Sequence, residues 1–171
     1  MPIRSPKNRS DMNGFPRYLH LMRKWIDLPP VWLLVFVVIA WMQGRYFSLG
    51  LEFGTTWARF LGGVLVGGGI ILMVLAADEM RRQRTTIVPR QQATRLVTTG
   101  IFSRTRNPIY LGDLMVLSGL ILTWSAVLSL ALVPIFLWVI EKRFVLPEEE
   151  HLSRTFGAEY ARYCERVRRW V

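Results

Sequence analysis

Residues 109–145 read IYLGDLMVLSGLILTWSAVLSLALVPIFLWVIEKRFV, two apolar runs that meet at Ser125. A hydrocarbon core takes roughly 20 predominantly apolar residues to cross as a helix, and the runs 109–124 and 126–145 are of that kind. With only a tight turn around Ser125 between them, they are expected to fold back as an antiparallel helical hairpin. Pro134 lies inside the second run and predicts a kink there. Asp113 stands near the start of the first. An acid in such a segment is either a functional group or one close enough to the interface to reach water, and the residues leave both readings open.

Upstream of the hairpin lie two further candidate spans, about 29–47 and 57–77. Pro29 and Pro30 suit the first turn of a helix, where a missing N–H costs little. The second span carries Gly62, Gly63, Gly67, Gly68 and Gly69. These would weaken a helix in water, but in lipid small residues let helices approach closely, so they predict helix packing. No Lys-Ser/Thr follows them, which argues against a phosphate loop.

The distribution of charge orients this arrangement. The chain has 171 residues, is 51% hydrophobic and carries a formal net charge of +10, with 22 Lys and Arg. Six of these precede Pro29, seven lie in the loop after the second span, and seven more follow from Lys142 onward. The first connection and its edges hold only Arg45 and Arg59, and the hairpin turn holds none. Four spans with both termini cytoplasmic satisfy the positive-inside rule. Arginines placed between apolar runs favour anionic lipid headgroups over nucleic acid as partner. The expected fold is thus all-α, a membrane bundle of about four helices. It divides into a cytoplasmic segment 1–28, a bundle 29–146 that includes a cytoplasmic loop 78–108, and a cytoplasmic helical segment 147–171. The first ~16 residues are expected to be disordered, and no cleavable signal peptide is expected. One cysteine, Cys164, excludes an intramolecular disulfide. His20 and His151 stand alone, so no metal site is expected.

Two polar stretches flank the hairpin, which should bring them together. In LVTTGIFSRTRNPIYLG, residues 96–112, Gly100 permits a turn. Pro108 is expected to hold Asn107 extended, and Tyr110 to point into the bundle. The same residues also suit a plain turn leading into a helix. In PEEEHLSRTFGAEYARYCERVRRWV, residues 147–171, Pro147 is expected to open a new helix. The helix dipole accounts for Glu148, Glu149 and Glu150 in its first turn; a ligand with polar hydroxyls or a cation would account for them equally. Leu152, Phe156, Tyr160, Tyr163, Val167 and Trp170 form an amphipathic stripe, which Gly157 is placed to bend.

Taken together, the stretches resemble the isoprenylcysteine carboxyl methyltransferase family, integral membrane enzymes related to the phospholipid N-methyltransferases. The family pattern runs Leu-Val-x-x-Gly-x-[Phe/Tyr], then Arg-His-Pro-x-Tyr-x-Gly. A two-span hairpin follows, then Glu-Glu-x-x-Leu-x-x-x-Phe-Gly-x-x-Tyr-x-x-Tyr. Here the first part falls on Leu96, Val97, Gly100, Phe102, Arg106, Asn107, Pro108, Tyr110 and Gly112. The second falls on Glu148, Glu149, Leu152, Phe156, Gly157, Tyr160 and Tyr163. The resemblance covers roughly residues 94–171 and implies methyl transfer from S-adenosyl-L-methionine to a lipophilic acceptor, a carboxylate of isoprenyl type or a lipid amine. It implies a cofactor pocket formed by Leu96, Val97, Gly100, Phe102, Arg106, Asn107, Pro108, Ile109 and Tyr110, with Glu148 and Glu149 at the cofactor's polar end. Arg143 is the residue it points to for substrate positioning. Asn107 departs from the family's usual His, so a role that requires a titrating imidazole is not carried over. Tyr110-Leu111-Gly112-Asp113 is also similar to the corresponding segment of NADPH-dependent sterol-type reductases. A non-catalytic membrane scaffold is the third reading. Neither the acceptor's identity nor the oligomeric state is readable from the chain.

Overall fold

The computed structural model describes residues 28–47, 56–83 and 95–171. The expectations for residues 1–27, including disorder near the start, and for part of the loop 78–108 lie outside the described residues. The described residues are entirely helical or irregular, with no strand among them.

Helix α1 (Pro29–Tyr46) starts on its two prolines, with the Leu28 carbonyl accepting the Val31 N–H at 3.0 Å. Helix α2 (Thr56–Arg82) has 27 residues and is the one described helix both long and apolar enough to cross a membrane by itself. It outruns the expected span 57–77 by more than a turn. The apolar run stops at Ala77, but the helix continues through Asp78 and Arg82, which pair one turn apart at 2.8 Å.

Helix α3 (Pro108–Thr123) packs along α2 through small residues. A Cβ on Gly112 would come within 2.8 Å of the Gly69 carbonyl oxygen, and one on Gly119 within 2.5 Å of that of Gly62. The backbones therefore touch without side chains between them, the close approach that suits helices in lipid. Only part of the glycine run serves this seam. Gly63 and Gly67 face open space, so the packing role expected of them does not hold.

The hairpin turn falls where expected, and Ser125 takes a positive φ of 53°. The second arm is not one regular helix. A 3-10 turn (Val127–Ala131) leads into α4 (Leu132–Ile140), a π turn (Glu141–Val145) and α5 (Leu146–Phe156). Gln43 of α1 accepts the N–H and hydroxyl of Ser129 at 3.2 and 3.0 Å, satisfying polar groups at the tip of the hairpin. Pro134 lies near the start of α4, where the backbone passes from 3-10 to α.

Pro147 does not open a separate helix. Val145 is helical, with φ −64° and ψ −51°, so the backbone runs through. A proline ring inside a helix clashes with the carbonyl four residues back, and the wider π turn ends just before it. The helix-dipole account of Glu148, Glu149 and Glu150 therefore loses its basis, since α5 has no exposed N-terminus. Gly157, with φ +48°, ends α5, and α6 (Ala158–Arg166) follows.

The main core joins α1, α3, α4 and the π turn around Phe36, Leu117, Ile121, Phe136 and Val145. The rings of Phe36 and Phe136 meet edge to face at 5.2 Å. Outside this core, Leu34, Val38, Trp41, Ile71, Val74 and Trp138 are exposed. An apolar surface of this extent is unfavourable in water and suits a bilayer.

Candidate active site

The two polar stretches meet at the end of the hairpin where α3 begins. The loop reaches that point through a sequence of anchors. Leu96 packs on the cluster of Tyr160, Tyr163 and Val167, and Val97 is buried. Gly100 takes φ +58° to start the 3-10 turn Gly100–Ser103. A side chain there would also collide with Glu79, since a Cβ would lie 2.6 Å from its carboxylate. The same Glu79 accepts the Thr99 hydroxyl at 2.5 Å, so the extra turn of α2 holds the start of the loop. Gly100 thus shapes the loop from the outside. The Tyr163 hydroxyl donates to the Phe102 carbonyl at 2.6 Å. Burial pushes the Tyr163 phenol well up, which keeps it protonated as a donor.

Asn107 precedes Pro108 but is not extended as expected, with φ −128° and ψ 56°. It does avoid the α region, as a residue before proline should. Three bonds fix the intermediate geometry. Its carbonyl accepts the Leu111 N–H at 3.0 Å, its N–H donates to the Thr105 hydroxyl at 3.3 Å, and its side-chain amide donates to the Arg169 carbonyl at 3.3 Å. The amide therefore ties the loop to segment 167–171.

Tyr110 points into the bundle as expected. Its ring stacks on Phe144 at 6.4 Å, and its hydroxyl donates to Glu148 at 3.0 Å. Burial pushes the Glu148 carboxyl above its ordinary range, and the Tyr110 bond offsets this only in part. Glu149 lies in an ion cluster. Arg169 grips it with two contacts, at 3.1 and 2.7 Å, and Arg106 approaches at 3.2 Å. Arg169 also reaches Glu141 on the π turn at 2.5 Å. Glu150 stands apart, paired with Arg154 on the surface.

Of the residues singled out in the sequence, the structure thus groups Arg106, Asn107, Pro108, Tyr110, Glu148 and Glu149. Phe102 joins them through its carbonyl and Tyr163. Ile109 is half-buried in the first turn of α3. Arg143 sits on the π turn, its guanidinium over the Trp32 ring of α1 at 4.9 Å. Asp113, one turn beyond Tyr110, is buried, and its Oδ2 has no hydrogen-bond partner among the described residues. Arg169, Glu141, Thr105 and Glu79 were not found from the sequence. The one signal for Arg169 was general: adjacent glutamates near a membrane need counter-charges, and the last residues are rich in arginine.

A family model described as phospholipid methyltransferase matches residues 57–159. The match runs from α2 into α6 and so takes in the α2 side of the glycine seam, Gly62 and Gly69, which lies outside the motif-bearing residues 94–171. No curated protein and no solved structure matches the chain. With more than half of its length inside that model, the chain belongs to the phospholipid methyltransferase family.

Proposed function

We propose that the protein is an integral membrane methyltransferase that takes its methyl group from S-adenosylmethionine and passes it to a lipophilic acceptor. The family supports methyl transfer. The observation that carries the cofactor assignment is the Tyr110–Glu148 pair at the head of α3. A half-buried carboxylate, with a phenol as its hydrogen-bond donor, is short of compensation for a full charge. The amino group or ribose hydroxyls of the cofactor would supply it.

S-adenosylmethionine brings a methyl group already activated on a sulfonium. The chain's task is then to align donor and acceptor and to exclude water. Leu96, Val97 and Phe102, with the segment 107–110, form the wall of the pocket. Tyr110 orients Glu148. Arg143 faces the acceptor side beside Trp32.

The topology belongs to the same reading. Helices α1, α2 and α3, with the composite arm 127–145, cross the bilayer. Both termini and the site lie on the cytoplasmic side, where the arginines collect. The acceptor reaches the site from the bilayer.

Calorimetric titration of the detergent-purified protein with S-adenosylhomocysteine, with NADPH in a parallel cell, tests the assignment. Saturable binding of the first alone is expected. Binding of NADPH alone would replace the reading with a reductase, and binding of neither would leave a scaffold.

A further inference from the structure

Glu148 and Glu149 are adjacent in sequence but meet different surroundings. Both oxygens of Glu149 are taken by Arg169, and Oε1 is shared with Arg106. Two guanidiniums on one carboxylate satisfy its charge and most of its acceptor capacity. Glu148 has the Tyr110 hydroxyl, and among the described residues it forms no ion pair.

The residue that completes the Glu149 cluster also holds the loop. Val167 is buried with Tyr160 and Tyr163, while Trp170 packs on the main core. Pinned at both points, segment 167–171 lays its backbone over the loop. The Arg168 carbonyl accepts the Arg106 N–H at 3.1 Å. The Arg169 carbonyl accepts the Thr105 hydroxyl at 3.1 Å and the Asn107 amide at 3.3 Å. Thr105, Arg106 and Asn107 lead directly into Pro108 and Tyr110, so a displaced Arg169 moves the head of α3.

We infer that the two glutamates divide the work. Glu149 is the counter-ion through which Arg169 and segment 167–171 fix the loop, Arg169 is a positioning residue, and Glu148 alone meets the donor's polar end. The inference rests on the proposed function, because it concerns that same pocket.

Coupling between substitutions tests it, read by S-adenosylhomocysteine titration of the full chain in detergent. Arg169→Gln removes one positive charge from a cluster of two arginines and two glutamates. It should weaken binding about tenfold, or ~1.4 kcal/mol. Adding Glu149→Gln restores the balance and should recover most of that loss, a coupling expected of residues in contact. Arg169→Lys, which keeps the charge but not the two-pronged grip, should fall between. Glu148→Gln should also cost tenfold or more, and no change at Arg169 should recover it. A general structural defect would not be relieved by a second substitution.

The division is overturned if Arg169→Gln binds as the unsubstituted protein does, or if Glu149→Gln deepens its loss. It is also overturned if Arg169→Gln rescues Glu148→Gln as well. Should Arg169→Gln fail to fold, Arg169→Lys with and without Glu149→Gln gives the same contrast. If the unsubstituted protein binds no S-adenosylhomocysteine, the proposed function fails. The positioning role is then read from thermal unfolding, where Glu149→Gln should still relieve the Arg169→Gln loss.

Discussion

Where α2 meets α3, backbone lies against backbone at Gly69 and Gly112 and again at Gly62 and Gly119, with no charged group involved. Where segment 167–171 meets the loop 105–107, the contact is made of two arginines, two glutamates and carbonyls facing donors. The first seam depends on shape and tolerates no added atom. The second depends on balance, and each charge is acceptable only while its partners stay. On the proposed topology, the difference follows from the surroundings. In hydrocarbon, apolar side chains gain nothing by leaving lipid, so close packing must hold the helices. At the headgroup boundary, polar groups retain enough strength to position a loop.

The largest effect is therefore expected from filling the first seam. Gly112→Leu forces the two backbones apart and should cost about 3 kcal/mol or more, by the scale of overpacking. Thermal unfolding in detergent should fall sharply, or the protein should not accumulate. Gly63→Leu, on the same helix but facing open space, should leave unfolding unchanged; an equal loss would show that glycine content, not the seam, matters.

Next in size is the pocket itself. Glu148→Ala and Tyr110→Ala should each weaken S-adenosylhomocysteine binding tenfold or more, about 1.4 kcal/mol, with the protein still folded. Normal binding by both would remove these residues from the cofactor pocket. A smaller change is expected from Tyr163→Phe. It removes one donor from the Phe102 carbonyl and should cost about 1 kcal/mol of stability.

The pH response sharpens the contrast further. Glu148 has a folded-state pKa above its unfolded one because its surroundings partly desolvate it. Its contribution to stability is therefore fully present below the ordinary carboxylate pKa and is lost as pH rises through the raised value. Binding of a cationic ligand group runs the other way, strengthening as Glu148 ionises over that window. Glu148→Gln should flatten both profiles, measured by unfolding and by titration across mildly acidic to neutral pH. A wild-type binding curve that is already flat would argue against contact between Glu148 and a cation.

The hairpin, its turn at Ser125 and the convergence of the two polar stretches were legible because hydropathy and motif order determine them. The last turn of α2 was not, because it is held by an ion pair and a loop contact after the apolar run has ended. Nor was the π turn, since the residues 141–145 carry no periodicity that marks a wider helix. Asn107 shows a further gap. The proline rule excluded the α region correctly, but the observed ψ depends on partners at Thr105, Leu111 and Arg169. Arg169 itself counted in the sequence only as one more positive charge. Its role arises from contacts 62 and 64 residues away along the chain.

That separation has a consequence for how the protein is made. The loop 105–107 leaves the peptidyl-transferase centre well before the residue that will hold it. At about 5–20 residues per second, Arg169 follows Asn107 by roughly 3–12 s. Through that interval α3 is synthesised and the hairpin can form, while the loop has no carbonyls from segment 167–171 to bind. The candidate site is thus completed only once a residue 62 to 64 positions further along the chain has been made, and until then this loop is not held in place.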